Sequence, residues 1–374
     1  MSEGLDPRLP VRILHVDLHR GWGGGQTQLL ILARQLAVRG FDQRIAALEG
    51  SPLAERAAAA GFDVAPLHRR GETDPRAILA LRDLSRRFRA DVVHAHDPHG
   101  LALAAVAARL LRPRPAVVGH RRVDYPIRSH AFSRWKYASG ADRLIAVSRH
   151  ARDVLGTGGV PPERIAVIPD AADPDPPPFA QGPSLRARIG APPEALLVTT
   201  IASTAERKDH PTILRASARL RPRVPSTRWV VMGGEGPALE ALREAARAAG
   251  VGSRLHYLGF LPDARARLDE SDVFALTSRS EALGSAILEA MAAGVAVVAT
   301  RAGGIPEVVE HERTGLLTPV ADPAAVAAAI DRLLDDRALA TRLAIEARKR
   351  LPAYDAANAA ERVAEVYRVA RNAS

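Results

Sequence analysis

The feature that most restricts how this chain can fold is an alternation that runs through it twice. Short β-branched runs are followed by Ala/Leu-rich stretches of helical length, and a proline-dense segment separates the two series. Apolar runs of four to six residues suit buried strands, and the stretches between them place apolar residues on one helical face. Strands joined through helices pair in parallel. The first series predicts strands at 11–16, 43–48, 64–66, 92–95, 116–119, 144–147 and 165–168, with helices such as 27–39 and 75–88, and Gly40 as a helix C-cap. Residues 173–183 contain five prolines, which continue neither a helix nor a central strand. The second series predicts strands at 196–201, 228–232, 255–257, 273–276 and 295–299, with helices at 211–220, 237–249, 285–293, 322–334 and from 338. The expectation is an α/β chain of two Rossmann-like parallel-sheet domains facing a cleft. The domains would be 1–172 and 184–350 with a linker at 173–183, and 351–374 a C-terminal helix packing back on the first domain. Ligands of such sheets bind beyond the carboxyl ends of the strands.

Composition removes several classes. A chain of 374 residues with 47% hydrophobic and 25% charged residues is globular. No run reaches the ~18 to 20 apolar residues of a spanning helix, and the first sixteen residues do not read as a secretory signal. With no cysteine there is neither a disulfide framework nor a thiolate metal site. A cytoplasmic protein is expected. The net charge is +10, carried by 49 Arg against 3 Lys, with seven of the surplus charges in residues 1–180. That excess reflects either compositional bias or a face for an anionic partner such as a phospholipid surface. Aromatics at 4% and the lack of a binding module argue against nucleic acid.

The most informative stretch is 280–307. A strand ending near Leu276 leads through a loop holding Glu281 into a helix beginning near Gly284-Ser285. The first amides of that helix have no internal partner, and with the helix dipole they suit a diphosphate. Phosphates repel carboxylates, so Glu281 and Glu289, eight residues apart, read better as acceptors for sugar and ribose hydroxyls. A second strand and the glycine turn Gly303-Gly304 follow, and there the backbone approaches a ligand closely.

These residues, with Ala290-Met291-Ala292, Gly294 and Pro306-Glu307, resemble the signature of glycosyltransferase family 4, retaining transferases of the GT-B fold. The resemblance extends over nearly the whole chain, through Gly24-Gly25, 91–96, 141–148, 160–169, Gly233–Pro237 and Leu258–Phe260. It implies a nucleotide-sugar of UDP or GDP type as co-substrate, with no bound cofactor and no metal. Glu281 would hold the donor sugar and Glu289 the ribose. Amides around Leu283, Gly284 and Ser285 would cradle the diphosphate, with Lys208 neutralising it and Arg207 assisting. Gly24 and Gly25 would form the N-terminal glycine loop at the donor, and His120 would stand near the reacting sugar. Arg121, Arg122 and Asp124 would meet the acceptor, a glycan, a lipid-linked glycan or a small metabolite. Work on cell-envelope glycans, at the inner membrane face, is the expected setting. The chain departs from the family where an arginine usually precedes the lysine: Ala202 and Ser203 stand there. Ala296 replaces a common proline, and Asp170-Ala171 a common Asn-Gly.

A glycosidase pair needs carboxyls ~5–5.5 Å apart, whereas eight helical residues span ~12 Å. The resemblance implies front-face substitution instead. His94, His96, Asp97 and His99 look like a metal cluster, but strand alternation is expected to send neighbours to opposite faces. Asp173 and Asp175 mimic an acidic metal motif inside the proline segment, and Gly21-Trp-Gly-Gly-Gly25 alone is a weak phosphate loop. The stretch 121–137, with Tyr125, Phe132, Trp135 and Tyr137 among basic side chains, is either a lipid-facing surface or an amphipathic helix packed on the first domain. Two other readings stay open: a catalytically silent nucleotide-sugar-binding subunit, and an epimerase or phosphorylase of the same fold.

Overall fold

The computed structural model describes residues 11–71, 73–173, 180, 182–223 and 226–372. Most of the proline segment, 174–179 with residue 181, lies outside the described residues, as does Asp175. The chain forms two compact units. One runs to Ala171 and takes in the chain again from Ala356; the other is Ala172–Asp355.

The first unit is built on β1 (Arg12–Asp17), β2 (Asp42–Leu48), β3 (Asp63–Leu67), β4 (Val92–Ala95), β5 (Ala116–Arg121), β6 (Arg143–Ala146) and β7 (Ile165–Val167). They pair in the order β3-β2-β1-β4-β5-β6-β7, all parallel. The order reverses between β1 and β4, where the crossovers turn to opposite faces and leave a crevice at the strand ends. The helix Ala356–Arg371 closes this unit. Its Ala360, Val363, Tyr367 and Ala370 are buried against Ile13, Val92, Val118 and Ile145. Arg39 Nη2 donates to Ala357 O at 2.7 Å at one end of the helix, and Arg371 pairs with Asp91 at 3.7 Å at the other.

The second unit is built on β8 (Leu196–Ile201), β9 (Thr227–Met232), β10 (Leu255–Gly259), β11 (Val273–Leu276), β12 (Ala296–Thr300) and β13 (Leu316–Thr318), in the order β10-β9-β8-β11-β12-β13. Its reversal lies between β8 and β11. The three-residue β13 was not expected from sequence; Leu-Leu-Thr carries no pattern of its own, and pairing with β12 makes it a strand. Asp322 caps the helix Pro323–Asp335 by accepting from Ala324 N and Ala325 N, which ends the connection after β13.

Trp229 anchors the second core. It is fully buried, its Nε1 donates to Thr200 Oγ1 at 3.0 Å, and that hydroxyl donates to Ala275 O at 2.7 Å. One indole therefore ties β9 to β8 and β11, the strands that carry the loops described next. Trp229→Ala should cost about 3–5 kcal/mol in urea unfolding followed by circular dichroism. A loss below about 1 kcal/mol would mean that this residue does not anchor the core.

Candidate functional site

In the second unit the loops after β8 and β11, the two strands at the reversal, are tied together. Arg279 N donates to Arg207 O at 2.8 Å, and Thr277 Oγ1 donates to Lys208 O at 3.2 Å. The link brings Glu281 onto Lys208, whose ammonium donates to Oε1, with Arg207 Nη1 3.4 Å from Oε2. Ser278 Oγ also donates to Oε1, at 2.8 Å. Burial alone would push the Glu281 carboxyl up, but Lys208 and Arg207 together with these hydrogen bonds outweigh it, and the group stays below its ordinary value. Lys208 is itself 13% exposed, so the pair is largely withdrawn from water, and each charge depends on the other.

The helix Ser285–Ala293 starts beside this pair. Gly284 precedes it at φ +90°, and a Cβ there would lie 3.2 Å from Ile287 Cδ1 and 3.4 Å from Ile305 Cγ1, so glycine answers both a left-handed turn and a close approach. No side chain caps the helix. Leu283 is buried just before it, and Gly304 N donates to Glu281 O at 2.9 Å, fixing the loop from the other side. Ala202 is buried, and Ser203 O accepts from His210 Nε2 at 2.8 Å.

Glu289 projects from the helix into a different environment. Arg265 Nε lies 3.0 Å from Glu289 Oε1, and its Nη1 lies 2.8 Å from Asp173 Oδ2. One guanidinium thus serves two carboxylates. Burial, with Asp173 adding to it and Arg265 opposing, raises the Glu289 carboxyl to about 7. Sequence reasoning missed Arg265, which stands 92 residues from Asp173 and carries no local pattern that marks it.

In the first unit, register assembles histidines from three strands. His15 on β1 pairs with His94 on β4, and His94 with Val118 on β5. His96 follows His94 by two residues, just past the end of β4, and His120 follows Val118 by two on β5. Residues two apart share a face, so the expectation that alternation separates these histidines is corrected: His94 and His96 point the same way. His15, which sequence reasoning did not single out, joins them through register.

Their hydrogen bonds have only one consistent direction. Arg122 Nη1 lies 3.0 Å from His96 Nδ1 and can only donate, so Nδ1 accepts and the proton of neutral His96 sits on Nε2. That N–H faces His15 Nδ1 at 2.9 Å. His15 Nε2 then donates to Gln43 Oε1 at 3.0 Å, because the Gln43 amide nitrogen is turned to Ala33 O, also at 3.0 Å. Asp170 holds Arg122 at 2.9 Å from behind. Burial, with Arg122 contributing, lowers His15 to about 4 and holds His94, His96 and His120 well below the ordinary imidazole range. Ring nitrogens of His15, His94 and His96 lie within 4.8 Å of one another. The fixed tautomers of His15 and His96 make these two a hydrogen-bonded chain of neutral rings, and the adjacent guanidinium disfavours a cation at the group.

His120 ends this group. Its ring stacks on His94 at 5.4 Å and 12° and on His96 at 5.9 Å, and neither ring nitrogen has a hydrogen-bond partner among the described residues. His94 is steadied by Tyr367 OH, 2.7 Å from its Nδ1. Gly24 opens the helix Gly24–Val38, which has no side-chain cap, and a Cβ on Gly25 would stand 3.9 Å from Arg122 Cδ. These glycines therefore lie in the first unit beside the histidine group, whereas Glu281 and Glu289 lie in the second. Arg121 is 2% exposed, donates to Tyr137 OH at 2.7 Å and also to Tyr125 O. Alternation turns it away from His120, into the unit. Arg122 is committed to Asp170 and His96, and Asp124 is half-buried on the loop beyond β5.

The raised Glu289 carboxyl carries a pH signature. Its proton is released near pH 4.5 in the unfolded chain and near 7 in the fold, so its stabilising share is complete below 4.5 and is lost as pH rises to 7. Glu289→Gln should match the wild type at pH 4.5 and exceed it by roughly 2–4 kcal/mol above pH 7 in urea titrations across that range. A pH-independent difference would show that burial does not perturb this carboxyl.

Residues 22–176 match the family model "Glycosyltransferase Family 4", and 183–350 match "Glycosyl transferases group 1". A GDP-mannose-dependent alpha-(1-6)-phosphatidylinositol monomannoside mannosyltransferase of Mycolicibacterium smegmatis is 31% identical over 66% of this chain and 69% of the relative. The Mycobacterium tuberculosis protein of that name is 32% identical over 63% of this chain and 66% of its own length, slightly under two thirds. The structure of Anabaena HepE in complex with UDP-glucose superposes with a TM-score of 0.81 at 22% identity, over 95% of this chain and 98% of that one. The chain belongs to glycosyltransferase family 4, and its fold is GT-B.

Proposed function

We propose that this protein is a retaining glycosyltransferase that takes a sugar from a UDP- or GDP-type nucleotide sugar and passes it to a sugar or lipid-linked acceptor. The observation that carries the reading is the grouping in the second unit of the uncapped helix start at Gly284-Ser285, the Lys208–Glu281 pair and the buried Glu289. Open helix amides and one ammonium supply what a departing diphosphate needs. In this reading Glu289 accepts from the ribose hydroxyls and Glu281 from a donor-sugar hydroxyl. Arg207, on the same carboxylate as Lys208, stands in for the arginine that Ala202 and Ser203 lack.

In this mechanism the acceptor hydroxyl oxygen bonds to the anomeric carbon on the face from which the diphosphate departs, the bond from that carbon to the phosphate oxygen breaks, and a donor phosphate oxygen takes the hydroxyl proton. The chain's contribution is positioning and stabilisation of the leaving diphosphate. His120, neutral and with both ring nitrogens unused among the described residues, serves the reacting sugar or the acceptor from the first unit. Relatives named for phosphatidylinositol monomannoside and lipopolysaccharide core support a cell-envelope acceptor. A peripheral site at the cytoplasmic membrane face fits the basic, aromatic stretch after β5, where Tyr125, Arg128 and Arg134 are exposed beside the stacked Phe132 and Trp135. No helix among the described residues is long and apolar enough to cross a membrane. The missing arginine favours a second reading, a silent nucleotide-sugar-binding subunit.

Thermal-shift titration against nucleotides and nucleotide sugars separates the two. The wild type should gain roughly 2–4 kcal/mol at 100 to 1,000 times the dissociation constant, and Lys208→Ala and Glu289→Ala should lose that gain. Acceptor-dependent release of nucleotide, with NMR showing the donor's anomeric configuration kept, supports transfer. Binding without release favours the silent subunit, and inversion would overturn the mechanism.

A further inference from the structure

A cavity of about 640 Å³ opens at the carboxyl ends of β2 and β3, and none of the residues described above uses it. Arg20, His68, Arg69, Arg70 and Arg76 line it together with two carboxylates. Both carboxylates are already engaged. Asp74 caps the helix Pro75–Phe88, accepting from Arg76 N at 3.0 Å and from Arg70 N at 2.8 Å. Glu49 lies 2.8 Å from His68 Nε2. Among the described residues, Arg20, Arg70 and Arg76 form no ion pair through their guanidiniums. Arg69 Nη2 donates to Leu18 O at 3.2 Å, which draws its guanidinium toward the end of β1, and its Nε is buried with no acceptor among the described residues.

Four guanidiniums around one cavity repel each other, and a buried N–H without an acceptor costs free energy. A phosphate answers both, since its oxygens accept paired N–H donors from guanidiniums in a fixed geometry. We infer that this cavity binds a phosphate group carried by the acceptor, so the acceptor is a phosphorylated or phosphodiester-linked glycan. This rests on the reading that the first unit receives the acceptor.

Sheet geometry also limits the size of that acceptor. Neighbouring strands lie about 4.8 Å apart, and the order β3-β2-β1-β4-β5 puts His120, on β5, three strands beyond β2 and four beyond β3. Phosphate and reacting hydroxyl are then about 14–19 Å apart along the sheet edge. A phosphate on the reacting ring itself falls short. The molecule needs at least one further ring, or a lipid headgroup, between the two ends.

The test uses the full chain and inorganic phosphate, with chloride at matched ionic strength as the control. Phosphate should raise the melting midpoint of the wild type at millimolar concentrations. Arg69→Gln and the exposed-site variant Arg70→Gln should lose most of that rise while keeping the response to nucleotide. Lys208→Ala should keep the phosphate response and lose the nucleotide response, which separates this proposal from the donor-site reading. A phosphate response retained in both arginine variants, or abolished by Lys208→Ala, overturns the proposal. So does no response in the wild type. Flotation with phosphatidylglycerol or phosphatidylcholine vesicles identifies the source: binding to the anionic vesicles that needs Arg69 and Arg70 assigns the phosphate to a lipid headgroup. A phosphate response in solution without such vesicle binding assigns it to a soluble phosphorylated glycan.

Discussion

A parallel sheet covered by helices on both faces can present chemistry only at the ends of its strands, and everything functional in this chain follows from that constraint. In each unit the strand order reverses once, between β1 and β4 and between β8 and β11. Neighbouring loops there diverge to opposite faces, so backbone amides and polar side chains converge on one place. Lys208 comes from the loop after β8 and Glu281 from the loop after β11, while His15 and His94 come from β1 and β4 and His96 from the turn that follows β4. Side chains far apart in sequence meet because strand order brings their loops together.

Burial sets the electrostatics of what converges. Several withdrawn charges have a specified opposite: Lys208 for Glu281, Arg265 for Glu289 and Asp173, and Asp170 for Arg122. Where opposition is strong, as at Glu281, the carboxyl stays ionised; where one guanidinium is shared, as at Glu289, burial prevails and the carboxyl rises to about 7. The histidines take the other route and shed charge altogether. Burial enforces their neutrality and the Arg122 guanidinium adds to it, while the Gln43 amide, whose orientation Ala33 fixes, sets the tautomer of His15.

Much of this was legible beforehand. The signature 280–307 placed Glu281, Gly284, Ser285 and Glu289 on a strand–loop–helix frame that the structure reproduces, with the helix at Ser285–Ala293. Strand positions were readable where short runs rich in β-branched or apolar residues stood between helical stretches. Leu316–Thr318 was not, since Leu-Leu-Thr carries no such pattern and only pairing with β12 defines it. Arg121 and Arg122 looked alike in sequence, yet alternation sends the first into the unit onto Tyr137 and the second onto His96 and Asp170.

The sequence by itself determined the fold class, the family and the residue types at the nucleotide-sugar signature, because these depend on local periodicity and on short-range spacing. Tertiary structure alone decided which charges oppose one another, which way the histidine protons point, and that Arg20, Arg69, Arg70 and Arg76 surround one cavity. Those outcomes depend on register and strand order between segments tens of residues apart. Neither quantity is written in the spacing of the residues they join.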